Sequence, residues 1–205
     1  MPDDEALDPR TAAALIEQAQ AHARDELAIK QPRLYAAWGA AWLVGLGAMW
    51  LSVRGQHPYR DPAGWSVAIL AALIVAAIAI TIITTSQATR GIGGASVRQG
   101  VMYGLAWPAG FAALFVIEGA LSHAGANGKV MGVIGATGPL LVTGLIYVVA
   151  AAIWLDRTMS GFGIWLLAVA AAAAWAGPVG ALAVGALAGG GGFLAVAAYL
   201  SRKPG

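Results

Sequence analysis

The chain has 205 residues, of which 59% are hydrophobic and only 11% are charged. A soluble domain carries about 25% charged residues, so one water-soluble core would not hold this much apolar surface. Cysteine is absent, which excludes disulfides, thiolate nucleophiles and cysteine-ligated metal centres. The formal net charge is +2, but no basic patch is interleaved with aromatic residues, so we expect no nucleic-acid partner.

The first 33 residues form the only clearly polar segment. Asp8 followed by Pro9 is typical of a helix N-cap and first helical position. This predicts a helix over 9–30 that ends near Pro32. The segment has more acidic than basic residues, unlike helices that lie on anionic membranes. The helix either holds a cytosolic protein partner or is a solvated helix that precedes the first span.

Beyond Pro32, apolar runs recur at about 20 residues, the length that crosses a hydrocarbon core about 30 Å thick. The last run, 162–200, is too long for one span and is interrupted by Gly177 and Pro178. An alternative for this run is a re-entrant hairpin, because its first half is short. We predict an all-α transmembrane bundle of six spans, at 35–53, 65–86, 101–121, 130–155, 162–176 and 179–200, within a membrane domain over 34–201 and before a short tail, 202–205.

Lysine and arginine are unevenly divided between the predicted loops. With both termini in the cytoplasm, only Arg54, Arg60 and Lys129 lie on the outer side. Basic residues accumulate on the cytoplasmic side of membrane proteins. The arginine-, alanine- and glycine-rich composition is typical of high-GC bacteria, so we predict a multi-pass protein of the bacterial cytoplasmic membrane.

Glu118 is the only ionisable residue inside a predicted span, and such acids are candidates for ligand or proton binding. Nearby in the outer half of the bundle are His123, Thr137 and Pro139, and Pro139 frees a backbone carbonyl of its helix. We therefore predict a candidate ligand or proton site at these four residues. The alternative is an interfacial acid that reaches water or pairs with His123 or Lys129, beside a packed helix kink that Thr137 or Thr143 satisfies.

The first outer loop concentrates charged side chains that could bind an anionic head group or respond to pH through histidine. A solvated loop is the simpler interpretation of the same residues. The candidate outer polar patch consists of Arg54, His57, Arg60, Asp61 and Lys129.

A second polar cluster is predicted on the cytoplasmic side, where it could contact a cytosolic protein or lipid head groups. It consists of Arg90, Arg98, Asp156 and Arg157. Loop flexibility around these residues explains the pattern almost as well.

The last span is rich in small residues, which let helix backbones approach closely in lipid. We expect this span to pack against protein, either within the bundle or in a homo-oligomer or heteromeric membrane complex. The predicted packing residues are Gly185, Gly189, Gly190, Gly191 and Gly192.

No metal-binding, phosphate-binding or nucleophile motif occurs in the chain, so an enzyme, a metal and a cofactor are not expected. Residues 98–107 (RQGVMYGLAW) and 175–194 (WAGPVGALAVGALAGGGGFL) resemble small uncharacterised six-span membrane proteins of high-GC bacteria that are often labelled as transporters. This resemblance implies a transporter or permease-like component but carries no functional residues. The alternative is a non-enzymatic membrane sensor or assembly subunit that binds a cytosolic partner through its N-terminal helix.

Overall fold

In the computed structural model, residues 8–88 and 95–202 are described, and these ranges are almost entirely helical. The helices are α1 (Pro9–Val53), α2 (Gly64–Ala88), α3 (Ala95–His123), α4 (Gly128–Trp154), α5 (Arg157–Trp175), α6 (Gly177–Val184) and α7 (Gly191–Arg202). A π-helical segment, Gly185–Gly190, joins α6 to α7 without a break. Together these three pieces form the last span, Gly177–Arg202.

Six helical stretches are long and apolar enough to cross a membrane, which confirms the predicted all-α bundle of six spans. The predicted division of the last apolar run occurs at Gly177, whose φ of 71° is readily available only to glycine. The fifth span is longer than predicted because α5 begins at Arg157. Asp156 caps its N-terminus by accepting hydrogen bonds from the backbone N–H groups of Thr158 and Met159 at 2.7 and 3.1 Å. These lengths favour two full spans over a re-entrant hairpin.

The predicted helix end near Pro32 is wrong, because α1 continues through Pro32 as one helix of 45 residues. Proline removes a single backbone hydrogen bond, and helix-forming residues on both sides carry the helix past it. The membrane-spanning part begins at Gln31. A helix of this length extends over about 68 Å, so α1 projects well beyond a hydrocarbon core of about 30 Å.

The spans differ in how they pack. The last span contacts α1, α4 and α5, and these four form the centre of the bundle. Within the described ranges, the backbone of α2 approaches only α1 and that of α3 approaches only α4, so α2 and α3 are edge helices whose backbones do not approach each other. Most side chains of both edge helices are exposed on the bundle surface.

Short connections make consecutive spans antiparallel, which gives the bundle two faces. We call the face near Gln31, Trp154, Arg157 and Arg202 the terminal face, and the face near Val53, Gly64, His123, Gly128 and Trp175 the opposite face.

An aromatic cluster fills the centre of the bundle towards the terminal face. Phe193 contacts Phe162 edge to face, with ring centroids 4.6 Å apart, and both rings are buried. The ring centroids of Tyr35 on α1 and Tyr147 on α4 lie 5.9 Å apart, so the two helices contribute adjacent rings to the cluster. Trp42 adds a fifth ring at 5.6 Å from Phe193. This cluster ties together all four central spans.

The glycines of the last span allow close helix contacts. A Cβ atom on Gly190 would lie 2.5 Å from the backbone nitrogen of Leu43 on α1. Gly189 lies against Leu140 and Trp42, and Gly192 lies against Trp165.

Gly185 and Gly191 complete the predicted packing set. Gly185 lies against Leu46 on α1. Gly191 differs from the others, because a Cβ atom there would meet nothing within 4 Å.

Candidate functional site

The two edge helices lie apart, because α2 packs on α1 and α3 packs on α4. In the half nearer the terminal face, Trp38 of α1 stacks with Trp107 of α3, with centroids 6.5 Å apart. Trp107 in turn packs edge to face on Tyr147 of α4. No ring pair among the described residues joins α1 or α2 to α3 nearer the opposite face. Aromatic rings therefore connect α1 to α3 in the terminal half of the bundle.

Glu118 lies on the side of α3 that faces α4. The less exposed residues of α3 recur every three or four positions, from Trp107 through Leu114 to Glu118, which marks one face of the helix. Leu114 packs against Gly138 of α4 and so identifies the partner of this face. Since α3 ends at His123, Glu118 lies about 8 Å along the helix from the opposite face.

Glu118 has neither of the two ion-pair partners that the alternative interpretation offered. Within the described part of the chain, Glu118 makes no ion pair with His123 or Lys129 and no hydrogen bond. His123 and Lys129 are both exposed at the opposite face. The Glu118 carboxylate is thus unpaired within the described residues and lies on the face of α3 that packs on α4.

Pro139 lies inside α4, where its missing N–H group leaves the carbonyl of Gly135 without its helical donor. The hydroxyl of Thr137 donates instead to the Val133 carbonyl at 2.8 Å. The hydroxyl of Thr143 is buried, with the residue 1% exposed, and has no hydrogen-bond partner among the described residues. Neither threonine satisfies the Gly135 carbonyl, so the alternative of a threonine-satisfied kink is not what the structure shows.

Space is available at the Cβ position of Gly135. A Cβ atom on Gly135 would meet nothing within 4 Å, whereas one on Gly138 would meet Leu114 of α3 at 2.6 Å. The α3–α4 contact is therefore tight at Gly138 and open at Gly135, one turn nearer the opposite face. The sequence suggested Thr143 only as a residue that could satisfy the Pro139 kink, because a threonine hydroxyl in a helix ordinarily donates to its own backbone.

The first loop at the opposite face folds over the beginning of α4. The Tyr59 hydroxyl would lie 2.5 Å from a Cβ atom on Gly132, and Asp61 approaches the corresponding position of Gly128 at 3.9 Å. Burial, reinforced by the Asp61 carboxylate, raises the pKa of Tyr59. The Arg54 guanidinium lies over the Trp50 ring, 5.3 Å from its centroid.

The predicted outer polar patch is only partly assembled. Arg54, His57, Arg60, Asp61 and Lys129 are all exposed at the opposite face. No ion pair joins them within the described ranges. The backbone N–H of Arg60 donates to the Gln56 side chain at 3.1 Å, which orders the loop from within.

The predicted cytoplasmic cluster is divided by the structure. Arg90 lies outside the described residues, and Arg98 is exposed at the start of the third span. The Asp156 carboxylate is used as the cap of α5. Arg157 lies instead at one end of a surface groove of about 800 Å³ between α5 and α7.

Sequence reasoning did not identify this groove, because its two walls come from spans that face each other only in the folded bundle. Phe162 and Trp165 contribute from α5, and Val196 and Tyr199 contribute from α7. The Trp165 Nε1 group donates to the Ala188 carbonyl of the π-helical segment at 3.0 Å and fixes one wall.

The two candidate sites have different chemistry. Glu118 on α3 and the Gly135 carbonyl on α4 are hydrogen-bond acceptors on neighbouring helices, whereas the α5–α7 groove is apolar with one guanidinium at its end. No group of His, Asp or Glu side chains in the described ranges has the arrangement of a metal site. In comparisons with known proteins, no family model, no curated protein and no solved structure matches the chain.

Proposed function

We propose that this membrane protein is a transporter or permease-like component of the bacterial cytoplasmic membrane, with both termini in the cytoplasm. The observation that carries the proposal is the unpaired Glu118 on the face of α3 that packs on α4. An ionisable group within a span is costly, and such groups usually mark pathways for ions or substrates. The resemblance to small six-span proteins labelled as transporters points to the same class.

The available acceptors define the class of solute. A carboxylate at Glu118 and a free carbonyl at Gly135 both accept hydrogen bonds and attract positive charge. They suit a cation, or a small solute with amine or hydroxyl donors. The positive side-chain excess at the terminal face supports, through the positive-inside rule, an orientation in which Glu118 lies near the outer membrane surface. We therefore expect the solute to enter this site from the outside.

Currents from proteoliposomes on a solid-supported membrane test this proposal. We expect addition of one member of a panel of alkali cations and small organic amines to produce a transient current in the wild type. Glu118→Gln should remove this current, while Asp61→Asn should keep it, because Asp61 lies in the exposed loop. Currents that are equal in wild type and Glu118→Gln, with both proteins monodisperse and helical, would contradict a role for this acid.

A second function is favoured by the length of α1. The helix reaches from Pro9 to Val53, so its first part continues beyond the spanning part that begins at Gln31. Leu15 is 52% exposed on this extension, as expected for a residue that could contact another protein. The second proposal is a membrane sensor or assembly subunit that holds a cytosolic partner on this helix.

Deletion of residues 1–30 separates the two functions. Under the second proposal, a protein that co-purifies with the full chain from native membranes is lost on deletion, and Leu15→Asp should weaken it as well. Under transport alone, the deletion should leave the proteoliposome currents intact. Unchanged co-purification in both variants would contradict partner binding by this helix.

A further inference from the structure

The groove between α5 and α7 has the length and composition expected for a bound lipid chain. Its lining runs from Arg157 to Trp165 on α5, and from Tyr199 back to Leu187 and Ala188 on the last span. At 1.5 Å per residue, the separation of Ala188 and Tyr199 corresponds to about 16 Å. This is about half of the hydrocarbon thickness of about 30 Å, the depth of one lipid leaflet.

The groove exists because glycines on both of its walls have no side chain to fill the space. Gly161 on α5 and Gly191 on α7 line it, and a Cβ atom on either would meet nothing within 4 Å. The Trp165 side chain is held by its hydrogen bond to Ala188 and does not close the space. The concave surface is therefore fixed by the bundle itself.

The charge at the end of the groove indicates a negative ligand. Arg157 has no ion pair in the described part of the chain, and its neighbour Asp156 is occupied in capping α5. The helix N-terminus is thus already filled, so an anion would have to bind the Arg157 side chain. Thr158 and Tyr199 also line the groove, and a hydroxyl group can donate to a phosphate oxygen.

We propose that this groove binds one anionic phospholipid, with an acyl chain along Gly161 and Gly191 and the phosphate at Arg157. The geometry commits to a lipid because the space is apolar along one leaflet depth and basic only at its interfacial end. Basic pockets between spans at the cytoplasmic side are known to hold anionic lipid head groups. This inference is independent of the transport proposal, since Glu118 lies near the opposite face on another helix.

Native mass spectrometry in detergent tests the proposal with phosphatidylglycerol and with phosphatidylcholine of identical acyl chains. We expect the wild type to retain several-fold more phosphatidylglycerol than phosphatidylcholine. Arg157→Gln should remove this preference. Arg98→Gln, which removes the same charge from an exposed position on the same face, should preserve it.

Filling the groove tests the acyl-chain site separately from the charge. Gly191→Leu and Gly161→Leu place a side chain in the groove from opposite walls, and each should reduce retention of both lipids several-fold. Gly104→Leu is the matched control, because Gly104 has open space on α3 and does not line the groove. Two independent filling variants guard against misfolding of one, and circular dichroism with size-exclusion chromatography checks each of them.

Three results would overturn the proposal. The first is equal retention of the two lipids by the wild type. The second is an equal effect of Arg98→Gln and Arg157→Gln, which would indicate general surface charge. The third is a wild-type dimer by light scattering that Gly191→Leu converts to monomer, which would make a second copy of the chain the occupant.

Discussion

The indole Nε1 of Trp38 donates a hydrogen bond to the Thr81 hydroxyl at 3.1 Å, which joins the first span to the second. The Thr81 hydroxyl in turn donates to the Ala77 carbonyl at 2.8 Å, so its orientation is fixed. The same indole stacks with Trp107 on α3. Trp38 is therefore the side chain that connects both edge helices to the centre of the bundle.

Thr81→Val should lower the thermal stability of the detergent-solubilised protein. The substitution keeps the shape of the side chain and removes the acceptor of the Trp38 indole, and interhelical hydrogen bonds in membrane proteins contribute about 0.6 kcal/mol each. Ser86→Ala is the control, because the Ser86 hydroxyl donates only within its own helix. A melting temperature equal to that of the Ser86→Ala protein would show that this bond contributes nothing.

Gly190→Ala and Gly191→Ala should differ sharply although the residues are neighbours. The added methyl group at Gly190 would lie 2.5 Å from the Leu43 backbone nitrogen, while the one at Gly191 would meet nothing within 4 Å. Overpacking of this kind costs about 1–3 kcal/mol, because the whole of α1 must move. We expect a lower melting temperature only for Gly190→Ala, and equal melting of the two variants would contradict the α1 contact.

Thr143→Val should leave the protein as stable as the wild type or make it more stable. The buried Thr143 hydroxyl has no partner, and an unsatisfied buried polar group costs about 1–3 kcal/mol. Valine has nearly the same shape without this penalty. A clear loss of stability would show that the hydroxyl has a partner in the membrane, such as a bound solute or water.

Phe193→Ala should destabilise the bundle far more than Phe115→Ala. Phe193 is buried among the rings of all the central spans, whereas Phe115 is exposed on α3. Removing a buried phenylalanine side chain costs about 3–5 kcal/mol through lost contacts and the resulting cavity. Thermal unfolding monitored by circular dichroism measures the difference, and similar losses for both variants would argue against the aromatic cluster as the core.

The orientation can be tested cleanly because the chain has no natural cysteine. Ser122 lies near the opposite face and Ser201 lies near the terminal face, and both are exposed, so each can be replaced by a cysteine that a reagent can reach. With both termini in the cytoplasm, a membrane-impermeant maleimide should label only Ser122→Cys in intact cells and both variants after permeabilisation. The reverse pattern would invert the proposed topology and move Glu118 to the cytoplasmic side.

Span number and fold class could be read from the sequence because crossing the membrane imposes a minimum apolar length. The division of the last apolar run at Gly177 and Pro178 could also be predicted from the sequence, since the backbone of these two residue types interrupts a helix. Pro32 has the same chemistry but did not end α1, because one missing hydrogen bond is a small loss in a long helix. Local signals thus located the spans more reliably than their ends.

Only the tertiary structure decided which spans are central and which are edge helices. In water, a buried face is recognised because the other face is polar, but lipid is as apolar as a protein core. The apolar residues of α2 and those around Leu140 of α4 therefore look alike in sequence, although α2 is mostly exposed and Leu140 is buried. For the same reason, the sequence could not show three features that depend on how the spans pack. These are the ring cluster around Phe193, the position of Glu118 on the face of α3 that packs on α4, and the groove at Arg157.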